Sequence, residues 1–231
     1  MTLPVAAFAS GGGTNLQALL DNETPHGPYR IEMVLSDRPG AGALERATRS
    51  GRQAWVVPVK GRDPGEVQEE TLRHLEGAGI QAIFLAGYLR LVPGAVVTRF
   101  RRRILNIHPA LLPAFGGKGM WGHHVHEAVL ASGARISGPT VHYVDEEYDT
   151  GTIIAQWPVP VRAGDDAAAL AARVLKVEHA LYPAAADHVC AAISSGRHPG
   201  PFSPPADVYT PAHDVTPDEL RRRIDASFQP S

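Results

Sequence analysis

Asn106 and His108 stand two residues apart in the stretch ILNIHPALLP, residues 104–113. In a β-strand, residues two apart point to the same face. A carboxamide and an imidazole would therefore project side by side, a hydrogen-bond donor next to a group able to move protons. Pro109 has no backbone N–H, so the strand should end at His108. That places both groups at the C-terminal end of a strand, where open α/β sheets bind their ligands. Taken alone, the decapeptide reads instead as a turn cap at Asn106 and a hydrogen-bonded core histidine at His108.

A second stretch with chemical potential opens the chain. Residues 5–10 are a short apolar run, followed by Gly11-Gly12-Gly13-Thr14-Asn15 and then the helical pattern Leu16, Leu19, Leu20. Strand, glycine turn and helix start make an anion site, because glycines permit close approach and the first helical amides point at the ligand. The run is neither G-x-G-x-x-G nor a P-loop with its lysine, which disfavours adenosine dinucleotides and ATP. The plainer alternative is a strand-to-helix turn with no ligand. Near residue 120, His123, His124 and His126 open a helix. His123 and His126 could share a face, but only Glu127 stands near enough to extend a ligand set, so solvated imidazoles and no metal are expected.

These groups need elements to position them. The sequence predicts strands at 5–10, 29–36, 54–59, 82–85 and 104–108. Between them it predicts helices at 43–50, ended by Gly51, at 64–78, capped by Asp63 and closed by Gly79, and at 93–99. This βα alternation is the pattern of a parallel sheet. Residues 86–92, Ala-Gly-Tyr-Leu-Arg-Leu-Val, leave the fourth strand and could wall a flat ligand or finish the core. Residues 136–145 and 152–161 read as an antiparallel pair around the acidic turn 146–151. Asp165 or Asp166 can cap a long helix through Leu170, Val174, Val177 and Leu181. Pro183 is expected to interrupt that helix before a further helical stretch to about 194. Residues 197–215 are proline-rich and read as extended. Thr216-Pro217-Asp218-Glu219 is a capping box that should start a short helix through Ile224. The fold class is α/β: a Rossmann-like open twisted sheet, parallel in its N-terminal half, with antiparallel strands added in the C-terminal half and helices on both faces.

The 231 residues suit one sizeable domain or a domain with a small extension. A net charge of −2 argues against a large nucleic-acid footprint. No apolar run reaches the roughly 18 residues of a membrane span. The lone Cys190 excludes an intrachain disulfide framework and fits a reducing compartment. The start MTLPVAAFAS lacks the charged region of a signal peptide. A cytoplasmic protein, monomer or homodimer, without nucleic-acid or membrane partners, is the expectation.

Five segments together resemble the folate-dependent formyltransferases, most closely the branch that acts on glycinamide ribonucleotide. They are SGGGTNLQALL (10–20), LAGYLRLV (85–92), ILNIHPALLP (104–113), SGPTVHYVDEEYDTG (137–151) and VEHALYP (177–183). The resemblance runs from about residue 4 to 195. It implies a formyltransferase domain over 1–195 and a proline-rich extension with a short helix over 196–231. It implies transfer of a formyl group from 10-formyltetrahydrofolate, a co-substrate, to the amine of a small-molecule ribonucleotide in purine biosynthesis. Amine attack builds negative charge on the formyl oxygen, and a preorganised donor there is often worth about 3 kcal/mol. By resemblance Asn106 and His108 supply donors and proton transfer, and Asp149 keeps His108 protonated and oriented. Gly13, Thr14 and Asn15 would hold the phosphate, with Gly87, Leu175, Lys176, Val177 and Glu178 on the ribonucleotide side. Leu89, Arg90, Leu91 and Val92, with Asn106, Asp145, Glu146, Glu147, Tyr148 and Asp149, would enclose the folate.

The chain departs from the family in three places. Pro64 stands where a basic residue is common, and Arg62 or Lys60 is expected to substitute, with Arg62 assigned to folate. The 115–126 loop is long, and the tail after about 198 is not covered. Other readings are a formyltetrahydrofolate hydrolase, a formyltransferase acting on methionyl-tRNA or a sugar nucleotide, a silent ligand-binding module and a nicotinamide oxidoreductase. The hydrolase would carry an N-terminal regulatory domain, and the tRNA enzyme a larger C-terminal domain than residues 196–231 can form. The intact Asn106, His108 and Asp149 disfavour a silent module, and the missing third glycine disfavours the oxidoreductase.

Overall fold

The structure, a computed structural model, describes residues 2–197 and 217–226. Most of the proline-rich stretch expected at 197–215, and Thr216 of the capping box, lie outside the described residues. The first half alternates as β1 (Leu3–Phe8), α1 (Thr14–Asp21), β2 (Tyr29–Ser36), α2 (Gly42–Arg49), β3 (Gln53–Val56), α3 (Pro64–Gly77), β4 (Ala82–Leu85), α4 (Gly94–Arg99) and β5 (Ile104–His108). The second half adds α5 (His123–Ala131), β6 (Ile136–Ser137), β7 (Thr140–Tyr143), β8 (Ile153–Gln156), β9 (Val159–Pro160), α6 (Ala167–Ser194) and α7 (Pro217–Ala226).

The main sheet runs β3-β2-β1-β4-β5-β7-β8. The first five strands are mutually parallel. β7 and β8 continue the sheet antiparallel. Alternation along β1 shows how both faces fill. Val5 and Ala7 join one core with residues of α1, α2, α5 and α6. Ala6 and Phe8 join the other with residues of α3 and α4. Central strands buried on both faces must be apolar throughout, and β4, Ala-Ile-Phe-Leu, is fully buried.

Three expectations are corrected. The strand expected at 54–59 is Gln53–Val56, stopping before Pro58, which cannot donate to a ladder. The long strands expected at 136–145 and 152–161 each break in two, at Pro139 and Pro158. Their outer pieces leave the main sheet and pair as β6 and β9. Pro183 does not interrupt α6, which is continuous over 28 residues. Pro183 deprives the helix of one backbone bond, but it lies buried amid an apolar face. Beside it the Tyr182 hydroxyl bonds the carbonyls of Leu85 and Leu105, both at 3.0 Å. Tertiary anchoring thus outweighs local preference, and it fixes α6 to the neighbouring strands β4 and β5. α7 packs on α6 and buries Ile224 in the first core.

Candidate active site

Strand β5 delivers Asn106 and His108 to one face, and β7 supplies their neighbour. Asn106 pairs with His142 across the antiparallel ladder. His142 Nδ1 bonds the Tyr143 carbonyl at 2.8 Å, and its Nε2 lies 3.0 Å from Asn106 Nδ2. A carbonyl only accepts, so the His142 proton sits on Nδ1 and Nε2 accepts from the Asn106 amide. The second N–H of that amide is left for a ligand.

Asp149 arrives from the turn after β7 and joins both imidazoles. Its Oδ2 is 3.5 Å from His108 Nδ1, and its Oδ1 is 3.5 Å from His142 Nε2. The Gly117 N–H donates to Oδ2 at 2.9 Å. Asp149 adopts φ 59, a left-handed conformation that aspartate tolerates better than most residues. Gly151 packs so closely that a Cβ there would meet the Tyr143 carbonyl oxygen at 1.8 Å, which accounts for the last residue of YDTG. Burial opposes charge on Asp149. The neighbouring His142 and His108 imidazoles and the Gly117 N–H outweigh it, and the pKa falls below the ordinary carboxylate value.

His108 responds differently. Burial is the largest influence and lowers its pKa, and His142 adds to this; Asp149 and the Phe115 carbonyl push it up but do not prevail. Burial therefore disfavours the charged form of His108, against the pull of Asp149 that is expected to keep it protonated. Its Nε2 carries the proton and donates to the Phe115 carbonyl at 2.8 Å. Nδ1 then turns a lone pair toward Asp149, consistent with a separation longer than a hydrogen bond.

These groups open onto a cavity of about 820 Å³. At its other end Asn15, from the start of α1, donates through Nδ2 to Glu178 Oε2 at 2.6 Å. Glu178 is buried on α6, one turn before Tyr182. Desolvation pushes its pKa up to about 7, and the Asn15 bond offsets only part of this. Asn15 Oδ1 is buried with no hydrogen-bond partner among the described residues. Gly13 shapes the turn before α1: its φ is +74, and a Cβ would lie 2.9 Å from Ala43. Arg46 on α2 braces the same turn, donating from Nε to the Gly12 carbonyl at 2.7 Å and from Nη1 to Gln17 at 3.0 Å.

A model of the formyl transferase family matches residues 3–186. The chain belongs to the formyl transferase family. A phosphoribosylglycinamide formyltransferase, chloroplastic, from Arabidopsis thaliana is 46% identical over 190 residues, 80% of this chain and 65% of that protein. One of the same name from Vigna unguiculata is 44% identical over 80% of this chain and 60% of its own length. This chain thus spans less than two thirds of either plant relative. The crystal structure of phosphoribosylglycinamide formyltransferase from Brucella melitensis superposes with a TM-score of 0.76 at 41% identity, covering 83% of this chain and 97% of that one.

In this formyl transferase the cavity gathers most of the expected residues. Asn106, His108 and Asp149 line it together, as do Asn15, Gly87, Leu175 and Glu178. So do Leu89, Arg90, Leu91, Val92, Glu147 and Tyr148. Arg90 is also an anchor, donating from Nε at 2.8 Å to the buried Asp37. Other expected residues stand elsewhere. Arg62 is paired with Glu70 at 2.6 Å and Glu66 at 3.9 Å on α3, away from the cavity, which corrects its assignment to folate. Val177 is buried in the core and Lys176 is exposed; neither lines the cavity. Asp145 is taken up by its own turn, accepting from Glu147 N and Thr150 Oγ1, and Glu146 is exposed. Gly13 lies buried under the turn, while Thr14 lines a separate cavity of about 470 Å³ with Arg46 and His179.

Three contributors were not assigned to the site from sequence. His142 could have been found as the antiparallel partner two residues beyond Thr140, but only once the register was known. His126 is buried, lines the cavity and has no partner for Nδ1 among the described residues, so it does not share a solvated face with His123. Arg46 carried no motif of its own.

Proposed function

We propose that this chain transfers the formyl group of 10-formyltetrahydrofolate to the primary amine of glycinamide ribonucleotide, a step of purine biosynthesis. The observation that carries the reading is convergence. Asn106, His108 and Asp149, from separate parts of the chain, meet on one cavity whose far end holds Asn15 and Glu178. The ribonucleotide phosphate would lie at the turn before α1, where helical amides and Asn15 favour an anion. Glu178 would face the ribose hydroxyls. The pterin would lie against Leu89, Leu91, Val92 and Tyr148.

In the reaction the amine attacks the formyl carbon, forming a C–N bond and placing negative charge on the oxygen. The free N–H of Asn106 and the Nε2–H of His108 stabilise that charge. Collapse breaks the bond to N10 of the folate, and the proton lost by the amine reaches N10 by way of His108 or water. As His108 takes up positive charge, Asp149, already ionised, stabilises it. The Nε2–H is engaged by Phe115, so the loop that carries Phe115 must release it when the formyl oxygen enters.

We further propose that residues 1–195 form the catalytic domain, that the extension after 195 docks through α7, and that the reaction uses no metal. No described helix is long and apolar enough to cross a membrane. The single buried Cys190 suits the reducing, cytoplasm-like setting proposed here. A folate assay run with and without the ribonucleotide tests the activity. Turnover dependent on both substrates is expected. Formate released at full rate without the acceptor would point to a hydrolase instead.

A further inference from the structure

Among the described residues, one group of side chains with metal-ligand chemistry stands on the surface at the start of α5. His123, His124 and Glu127 are exposed, and a ligand atom from each lies within 4.8 Å of the others. The helix explains the grouping: residues three and four apart share a face, so Glu127 lies one turn beyond both imidazoles. His124 Nδ1 is 3.4 Å from Glu127 Oε2. The rings of His123 and His124 have centroids 4.0 Å apart. Zinc bonds of about 2.0–2.1 Å in a tetrahedron space neighbouring ligand atoms about 3.4 Å apart. The His124–Glu127 pair already has that spacing, and exposed His123 completes the set by rotating its side chain. Two imidazoles and one carboxylate select zinc-class ions over calcium or magnesium, which prefer all-oxygen sites.

We propose that His123, His124 and Glu127 bind one divalent transition-metal ion of the zinc class, completed by water, and that its binding narrows the mouth of the substrate cavity. The placement supplies the link. His123 and Trp121 both line that cavity. The Trp121 ring stands edge-on to His124 at 5.0 Å and to His123 at 6.5 Å. Trp121 also ends the glycine-rich loop whose Gly117 N–H is held by Asp149. Fixing the two imidazoles fixes the surface on which Trp121 rests, and so the end of this loop, which must move for Phe115 to release His108. No step of formyl transfer passes through the ion. The effect on turnover rests on the activity proposed above; the binding does not.

Untagged protein titrated with zinc chloride by calorimetry tests the site, and nickel quenching of tryptophan fluorescence provides a second reading. One ion per chain is expected, with quenching that disappears in Trp121→Phe. His123→Ala and His124→Ala should each weaken zinc binding by at least about tenfold, and Glu127→Gln by less. Because all three side chains are exposed, circular dichroism should show these variants folded. The double variant His123→Ala/His124→Ala keeps the buried His108, His142 and Asp149, so undiminished binding by it would overturn the site. Absence of saturable binding by the unmutated protein would do the same. In the folate assay, zinc should raise the KM for folate in the unmutated protein but not in the double variant. Stoichiometric binding with unchanged kinetics would overturn the narrowing and leave the site standing. Absence of formyl transfer in zinc-free protein would instead count against the activity, with calorimetry still judging the site.

Discussion

The two ends of the cavity each hold a carboxylate, and they treat it oppositely. Asp149 meets two imidazoles and a backbone N–H, and its pKa falls. Glu178 meets a single amide donor, from Asn15, and burial pushes its pKa up to about 7. Glu178 is the more deeply buried of the two, and Asp149 alone has imidazoles beside it, so burial and neighbouring groups together set the two apart. A carboxylate ionised near neutral pH suits the end where charge develops during reaction. One poised near neutrality suits an end whose missing partners arrive with a ligand, and the unpartnered Asn15 Oδ1 points the same way.

The largest effects should fall on the Asp149 end. His108→Ala and Asp149→Asn are each expected to lower kcat by roughly 10²- to 10³-fold while the KM for the ribonucleotide changes little. Equal losses in both parameters would erase the difference between the ends. At the other end, Glu178→Gln should raise that KM by about tenfold or more, with kcat nearly kept.

The same variant should change stability in a pH-dependent way. The folded pKa of Glu178, about 7, exceeds its ordinary 4.5. Between those values the folded protein holds a proton that the unfolded chain has released, so stability falls as pH rises. The full cost, up to about 3 kcal/mol, is present above pH 7. Thermal melts should accordingly show Glu178→Gln more stable than the unmutated protein near pH 8 and little different near pH 4. A constant offset at both would show that the side chain acts by packing alone.

Arg46→Lys sharpens the comparison from behind the turn. It retains the charge but loses the two-pronged brace on Gly12 and Gln17. The ribonucleotide KM should rise severalfold, about 1 kcal/mol, at unchanged kcat. The smallest effect is expected for Arg62→Ala, which lies at neither end. The folate KM should stay constant, and stability should drop by no more than about 1 kcal/mol because the ion pairs are partly exposed. A raised folate KM would restore Arg62 to the site.

What could be read from the chain divides along the same physical line. β4 and β5 were legible to the residue, since a fully buried strand must be apolar and the chain signals its ends. Asp63 announced α3, and its side chain accepts from Gly65 N and Glu66 N. Asn106 and His108 followed from a two-residue spacing. Features that depend on distant partners were not legible. Pro183 reads as a break until Tyr182 is seen bonded to two strands. The bends at Pro139 and Pro158 become a second ladder only when the two strands face each other. His142 acquires meaning from its register opposite Asn106, and Arg62 loses its expected role to carboxylates on its own following helix. The charge state of His108 was also out of reach, because it depends on how deeply the ring is buried.

Opposite pKa shifts for Asp149 and Glu178 underlie the division between chemistry and binding. Following the carboxyl carbon signals of both residues by NMR across a pH titration of the intact protein measures them directly. Asp149 is predicted to titrate below 3.8 and Glu178 near 7. Both groups titrating together in the ordinary carboxylate range would contradict it.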